Sequence, residues 1–308
     1  MRKSGYQISL SHVELSPYAD QVETETIAWM LRYQLFQEEK HYKRVQKMEI
    51  SKYAGYAHPF GNYGDILLFA KYITLWLLWD DFVIESEADT RAAMIEMREV
   101  FDVETERQPS RDNYILAWQS IISDYARRGA SPAFLNRLGD NMITWMETAA
   151  HEKASTSQVR RKNFQAYLDR RIITIGMIPT AQLLELSANV ELAETKLIRR
   201  VIIESAKIVA FANELASVKK DNDWINLVNV YREVSRCSLD EAYHAVVTMH
   251  DAAVQQYDAL LHELGPRSQE WGRLLQYCAE GFSYWHTVCV RYEGACIGVN
   301  FSHTAHDA

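Results

Sequence analysis

Glycine and proline are scarce. The 308 residues hold 12 Gly and 6 Pro, about half of the roughly 12% combined share usual in globular chains. Turn-rich all-β folds and long linkers need more of both, so neither is expected. Cysteine is scarcer still. Cys237, Cys278, Cys289 and Cys296 form no C-x-x-C pair, which speaks against zinc and thioredoxin-like motifs. They read as reduced core thiols of a cytoplasmic protein. A basic excess is also missing: 33 Lys plus Arg stand against 41 Asp plus Glu, a net charge of −8. Nucleic acid and anionic membrane select Lys/Arg patches, so neither is expected as the main partner. The most apolar stretch, Ile66 to Trp79, is 14 residues long and interrupted by Lys71, too short for a membrane span. No signal-type apolar run follows Met1, and no internal repeat is seen.

What is present is a 48% hydrophobic, 24% charged composition, enough for one large helical core. A single all-α domain over 1–308 is expected, with 1–15 as a loose N-terminal arm and 293–308 as a C-terminal tail. Helical spacing of Ile27, Met30, Leu31 and Leu35 predicts a first helix over Thr24–Glu39. The segment 62–84 is apolar nearly all round, as in a helix at the centre of a bundle. Further helices are expected over 86–104, 113–128, 132–151, 161–176, 180–188, 191–220, 224–232, 239–263 and 267–292. Breaks coincide with Gly129, Ser131-Pro132, Pro179 and Gly265-Pro266.

Three constellations carry chemistry. Asp80, Asp81 and Glu85 end the apolar helix, with Asp81 and Glu85 on one face. Adjacent carboxylates at the wall of a core repel each other and call for a cation; an oxygen-only set suits Mg²⁺. The ordinary alternative is a solvated helix end. Asn213, Ser217 and Asp221 follow at i, i+4 and i+8, one stripe of oxygen donors on a helix whose preceding turn, Ile208 to Phe211, is apolar. Lys220 adds a cation suited to a phosphate oxygen. The alternative there is a wet helix face. Arg171 and the pair Arg291-Tyr292 could each be structural, but as a set with two oxygen-ligand stripes they suggest a diphosphate site.

These residues resemble a class I terpene synthase of the short microbial type. Asp80-Asp81-x-x-x-Glu85 is similar to that family's aspartate-rich motif. Asn213-Glu214-x-x-Ser217-x-x-Lys220-Asp221 is similar to its second metal motif, and Trp285 through Arg291-Tyr292 to its C-terminal Trp-x5-Arg-Tyr. Ser16-Pro17-Tyr18-Ala19 and Thr26-x-x-Trp29 resemble its start, so the likeness covers about 16–292. Ser16, Tyr18 and the Glu at position 85 depart from the family pattern.

The resemblance implies a single-domain helical bundle around a central apolar cavity, with both metal motifs at its mouth. It implies Mg²⁺-dependent loss of diphosphate from an acyclic prenyl diphosphate, farnesyl diphosphate by family base rate, then carbocation cyclisation. Asp80, Asp81 and Glu85 would hold two ions of a three-ion cluster, and Asn213, Ser217 and Asp221 the third. Arg171, Lys220, Arg291 and Tyr292 would bind the diphosphate. Arg171, Thr174 and Ile175 fit the family's sensor, linker and effector spacing, with Arg170 the other candidate sensor. Trp76, Phe82, Tyr167, Phe211 and Trp285 are candidates to face the carbocation, against ordinary core packing for each. No side-chain base stands out; the diphosphate or the backbone at Ile175-Gly176 could serve. The family often forms homodimers.

Three other readings compete. A chain-elongating prenyl diphosphate synthase would carry a second aspartate-rich motif where Asn213, Ser217 and Asp221 stand. A di-iron helical-bundle oxygenase would use Glu-x-x-His pairs, here Glu38-x-x-His41 and Glu241-x-x-His244. A non-catalytic helical scaffold would need neither oxygen-ligand stripe.

Overall fold

A computed structural model describes residues 5–36, 38–81, 90–103, 110–154, 163–220, 226–292 and 295–301. The described chain is almost entirely helical, and it divides into two compact units. The first comprises Met1–Glu14, Ser155–Ala181 and Val190–Ala308; the second comprises Leu15–Ala154 and Gln182–Asn189.

The second unit opens with α1 (Ala19–Arg32), α2 (Glu39–Met48) and α3 (Ile50–Ala57). The expected helix Thr24–Glu39 is therefore wrong at both ends. The chain leaves α1 at Tyr33 and Gln34, and Gln34 sits in the left-handed region at φ 52°, which a continuing helix cannot accommodate. The helices α2 and α3 were not foreseen; α2 is rich in charge, and its apolar stripe of Tyr42, Val45 and Met48 is narrow. The central helix α4 (Tyr63–Trp79) starts where Asn62 Oδ1 accepts the Asp65 amide at 3.0 Å. Ile66, Phe69, Ala70, Tyr72, Ile73 and Leu75 are all buried, as its unbroken apolarity requires. Then follow α5 (Thr90–Phe101), α6 (Asn113–Arg127), capped by Asp112, and α7 (Pro132–Ala154). Within this unit α4 packs on α1, α3 and α6, and α5 packs on α7. A Cβ at Gly139 would lie 2.6 Å from that of Phe101, so only glycine permits this approach.

In the first unit α8 (Phe164–Thr174) is capped by Asn163. It ends at Ile175, and Gly176 turns the chain at φ 79°, a conformation glycine adopts without penalty. The next helix, α9 (Met177–Ser187), follows at once. The break lies there rather than at Pro179, which sits in the first turn of α9, where its missing amide costs nothing. The long helix α10 (Lys196–Ser217) is capped by Thr195. Asn226 caps α11 (Leu227–Ser235). The helix α12 (Leu239–Glu263) starts at a capping box in which Ser238 and Glu241 exchange bonds, and it ends as expected before Gly265-Pro266. Pro266 opens α13 (Pro266–Val288). Here α10 packs on α12 and α13.

The helix expected over 267–292 stops early. Cys289 is extended, and Val290–Tyr292 form a separate 3₁₀ turn. Nor is the N-terminal arm loose over its described length. Residues Tyr6–Leu10 form β1, which pairs in parallel with β2 (Ile297–Phe301) in the expected tail. Ile8 and Leu10 are fully buried, and alternation of Tyr6, Ile8 and Leu10 is the strand signal. No helix among the described residues is long and apolar enough to cross a membrane.

Candidate active site

In the first unit α10 carries Asn213 and Ser217 of the second constellation, and α8 brings Arg171 of the third against them. Asn213 and Ser217 lie one turn apart on α10, as their spacing predicts. The helix ends at Ser217, so the expected stripe does not continue as helix to Asp221, which lies outside the described residues. Glu214, between Asn213 and Ser217, is 2% exposed. Its carboxylate pairs with the Arg171 guanidinium through Nε. It also accepts the Tyr167 hydroxyl at 3.2 Å and the Leu227 amide at 2.5 Å. A buried carboxylate without such partners would cost several kcal/mol.

Arg171 then reaches outward. Its Nη2 donates to Asn213 Oδ1 at 2.8 Å, and its Nη1 donates to Thr174 Oγ1 at 3.3 Å. Asn213 Nδ2 donates in turn to the Tyr292 hydroxyl at 2.9 Å. The amide is therefore held at both ends, with its oxygen toward a donor-only guanidinium. Asn226 Nδ2 donates to Ser217 Oγ at 3.1 Å and to the Glu214 carbonyl at 2.8 Å. Lys220 Nζ stands 5.9 Å from the Tyr292 ring centroid.

Positive charge converges here. His286 on α13 is fully buried, and its pKa is pushed down to about 3, first by burial and then by the charges of Arg171, Arg291 and Lys220. Three cations acting on one imidazole give this end of the unit a positive potential. Trp285, 3% exposed, meets the Tyr292 ring edge-on at 6.1 Å. Phe211 is buried on α10 two residues before Asn213. Ile175 is buried at the α8 break, where the Gly176 carbonyl accepts the Thr180 hydroxyl at 2.9 Å.

In the second unit Asp80 and Asp81 follow α4 in a wider, π-type turn. The Asp81 carboxylate, 9% exposed, has Arg44 Nη2 from α2 at 3.5 Å from Oδ2. The cation missing from the local sequence thus comes from another helix. Trp76 is buried on α4 and meets the Trp145 ring edge-on at 5.2 Å. Glu85 and Phe82 lie outside the described residues. Among the described residues no three His, Cys, Asp or Glu side chains converge on one metal position.

The Glu-x-x-His pairs have other roles. Glu241 is held in the capping box with Ser238, and the His244 side chain is 65% exposed. Glu38 pairs with Lys40 in an exposed ion pair. Among the described residues no cysteine forms a disulfide.

Residues 71–256, more than half of the chain, match the family model described as terpene synthase family 2, C-terminal metal binding. This chain is a class I terpene synthase. Curated relatives agree over nearly its whole length. A Δ(6)-protoilludene synthase of Postia placenta is 20% identical over 284 residues, covering 88% of this chain and 81% of that protein. A 4-epi-cubebol synthase of Streptosporangium roseum, described as (2E,6E)-farnesyl diphosphate cyclizing, is 23% identical over 295 residues, covering 91% and 87%. The crystal structure of linalool/nerolidol synthase from Streptomyces clavuligerus in complex with 2-fluorogeranyl diphosphate superposes with a TM-score of 0.80. It covers 89% of this chain and 100% of that one at 18% identity, and so shows the shared all-α fold.

As a terpene synthase the chain is a lyase-type enzyme acting on a prenyl diphosphate. Four participants in the polar contacts were missed in the sequence: Glu214 as the partner of Arg171, Asn226 and His286 in the first unit, and Arg44 in the second. Glu214 had a signal. A carboxylate between Ala212 and Leu215-Ala216 on a buried helix must find a cation. Asn226, His286 and Arg44 had none, because each joins from a separate element.

Proposed function

We propose that this terpene synthase ionises farnesyl diphosphate in a Mg²⁺-dependent reaction and guides the carbocation to a cyclic hydrocarbon or alcohol. The observation that carries this reading is the Arg171 guanidinium. It is braced by buried Glu214, extended to Asn213, and joined around His286 by the charges of Lys220 and Arg291. The farnesyl chain length rests on the substrate named for the Streptosporangium relative.

The donor set fits a hard divalent cation. Asp80, Asp81, Asn213 and Ser217 offer only oxygen, as do Glu85 and Asp221 by residue type. Asn213 Oδ1 and Asp81 Oδ2 each already face an arginine nitrogen, at 2.8 and 3.5 Å, so both oxygens sit where positive charge is favoured. In this reading Asp80, Asp81 and Glu85 hold two ions, and Asn213, Ser217 and Asp221 hold the third. Bound there, the ions would neutralise negative charge growing on the departing diphosphate.

The chain's own residues do the rest. Arg171, Lys220, Arg291 and Tyr292 bind the diphosphate oxygens, with Arg171 aimed by Glu214. Thr174 and Ile175 link Arg171 to the backbone break at Gly176. The apolar residues before each motif exclude water from the cation. The faces of Trp76, Phe211 and Trp285 stabilise it, each by ~0.5–2 kcal/mol when desolvated.

The test is incubation of the protein with Mg²⁺ and, separately, geranyl, farnesyl and geranylgeranyl diphosphate, followed by gas chromatography–mass spectrometry. A cyclic C15 product from farnesyl diphosphate alone is expected. A product only from another chain length overturns the farnesyl assignment. Longer diphosphates formed only with added isopentenyl diphosphate overturn the cyclase reading.

A further inference from the structure

The first and last described segments of the chain are joined. Tyr6 to Leu10 pair with Ile297 to Phe301 in parallel register, and β2 begins five residues after Tyr292. The arm is fastened to α12 and α13 by acidic side chains. Asp251 accepts the Ser9 amide at 2.9 Å and its hydroxyl at 3.2 Å. Glu280 accepts the Ser11 amide at 2.7 Å, the Ser11 hydroxyl at 2.5 Å and the His12 amide at 2.7 Å. Asp240 accepts the Tyr6 hydroxyl at 2.5 Å, and the Tyr6 ring stacks on Tyr243 at 4.4 Å.

Glu280 is 1% exposed. A carboxylate buried that deeply needs its oxygens bonded, and three of its four donors come from the arm, the fourth being Gln276 at 3.1 Å. Arm and carboxylate therefore require each other. The fully buried Ile8 and Leu10 add apolar anchoring. The arm thus holds β2, and the Ala295 amide just before β2 donates to the Tyr292 carbonyl at 2.9 Å, which ties β2 to the short turn that carries Arg291 and Tyr292.

That turn has a job in the site. The Tyr292 hydroxyl takes Asn213 Nδ2, while Arg171 takes Asn213 Oδ1. The Tyr292 hydroxyl is thus the second hydrogen-bond partner of the Asn213 amide, at the end opposite Arg171.

We propose that the N-terminal strand is a strap that positions Tyr292, and through its hydroxyl holds Asn213 ready for the metal; Asp251 and Glu280 are its positioning residues. This rests on the metal role given to Asn213 above. It predicts that loosening the strap weakens metal binding through Tyr292 and not merely the fold.

The test uses Asp251→Asn and Glu280→Gln in the full chain, each alone and combined with Tyr292→Phe. Asp251, with its side chain 30% exposed, gives the milder variant should Glu280→Gln fail to fold. Mg²⁺ is titrated calorimetrically in the presence of inorganic pyrophosphate, with helical circular dichroism as the check on folding. Each single variant is expected to raise the Mg²⁺ midpoint about tenfold, as for groups that orient metal ligands. Each double variant should show the same tenfold rather than a hundredfold, because both changes cut one chain of contacts. Additive losses, or an unchanged midpoint in the folded Asp251→Asn variant, overturn the strap. If the unaltered protein binds no Mg²⁺ with pyrophosphate and converts no prenyl diphosphate, the functional reading fails, and the strap with it.

Discussion

Arg171 and Glu214 form a buried ion pair in which the carboxylate braces the guanidinium from behind while the guanidinium reaches Asn213 in front. Their side chains are 15% and 3% exposed. Removing one partner of such a pair strands the other, at about 3–5 kcal/mol. Glu214→Gln is therefore expected to lower the melting temperature and to reduce kcat, because Arg171 loses its orientation. Arg171→Met alone should also destabilise, since it leaves Glu214 charged and buried. The pair Arg171→Met with Glu214→Leu should recover stability over either single change but not activity. Thermal melts and steady-state kinetics on the three variants check this. Equal activity in Glu214→Gln and the unaltered protein would remove Glu214 as the brace.

The metal assignment makes a sharper demand. Asn213→Ala and Asp80→Ala should each abolish turnover while helical circular dichroism is retained, because neither residue supports the core. Chelation with EDTA should do the same to the unaltered protein, and added Mg²⁺ should restore it. Full activity in both variants would take these residues out of the metal set.

Asn213, Glu214 and Ser217 could be placed together because they are close in sequence on one helix, α10. The limits of α12 could be read because Ser238, Glu241, Gly265 and Pro266 are strong local punctuation. What was illegible depended on distant partners. Tyr6, Ile8 and Leu10 alternate as a strand should, but five residues are a short signal, and the partner strand lies at the other end of the chain. The turn at Gln34 has no glycine to announce it, so the first helix was carried too far. Arg44 comes to Asp81 from a charged helix whose apolar stripe is narrow, with only Val45 and Met48 buried. Glu214 was visible as a motif letter, but its role depends on α8 packing against α10.

Two buried histidines should make the protein acid-sensitive. Burial pushes the His58 pKa down to about 4, against a smaller upward pull from Asp65, and that of His286 down to about 3. Both are neutral when folded, whereas the unfolded chain protonates them near pH 6.5. Between about pH 6.5 and 4 the unfolded state therefore binds more protons, and stability falls as the pH falls. The slope approaches roughly 1.4 kcal/mol per pH unit for each histidine. His58 packs edge-on against Phe69 at 4.7 Å, so His58→Phe should remove one histidine's share without opening a cavity. Denaturant melts at pH 7 and pH 5 measure this. An equally steep loss in His58→Phe would show that His58 is not the source.

Product identity should respond to the aromatic residues near the motifs more than binding does. Phe211 precedes Asn213 on α10, and Trp76 precedes Asp80 on α4. Both are buried at 3% and 7% exposure, close in sequence to the groups assigned to the diphosphate but without a charge of their own. The diphosphate is held by cations, so neither ring contributes much to KM. A carbocation has no such anchor, and its partition among products follows differences of about 1 kcal/mol in the faces it meets. Phe211→Leu and Trp76→Leu should accordingly change the hydrocarbon mixture seen by gas chromatography, with KM for the diphosphate altered less than threefold or so. An unchanged mixture in both variants would place these rings in ordinary packing. A large rise in KM with the mixture preserved would assign them instead to seating the prenyl chain before ionisation.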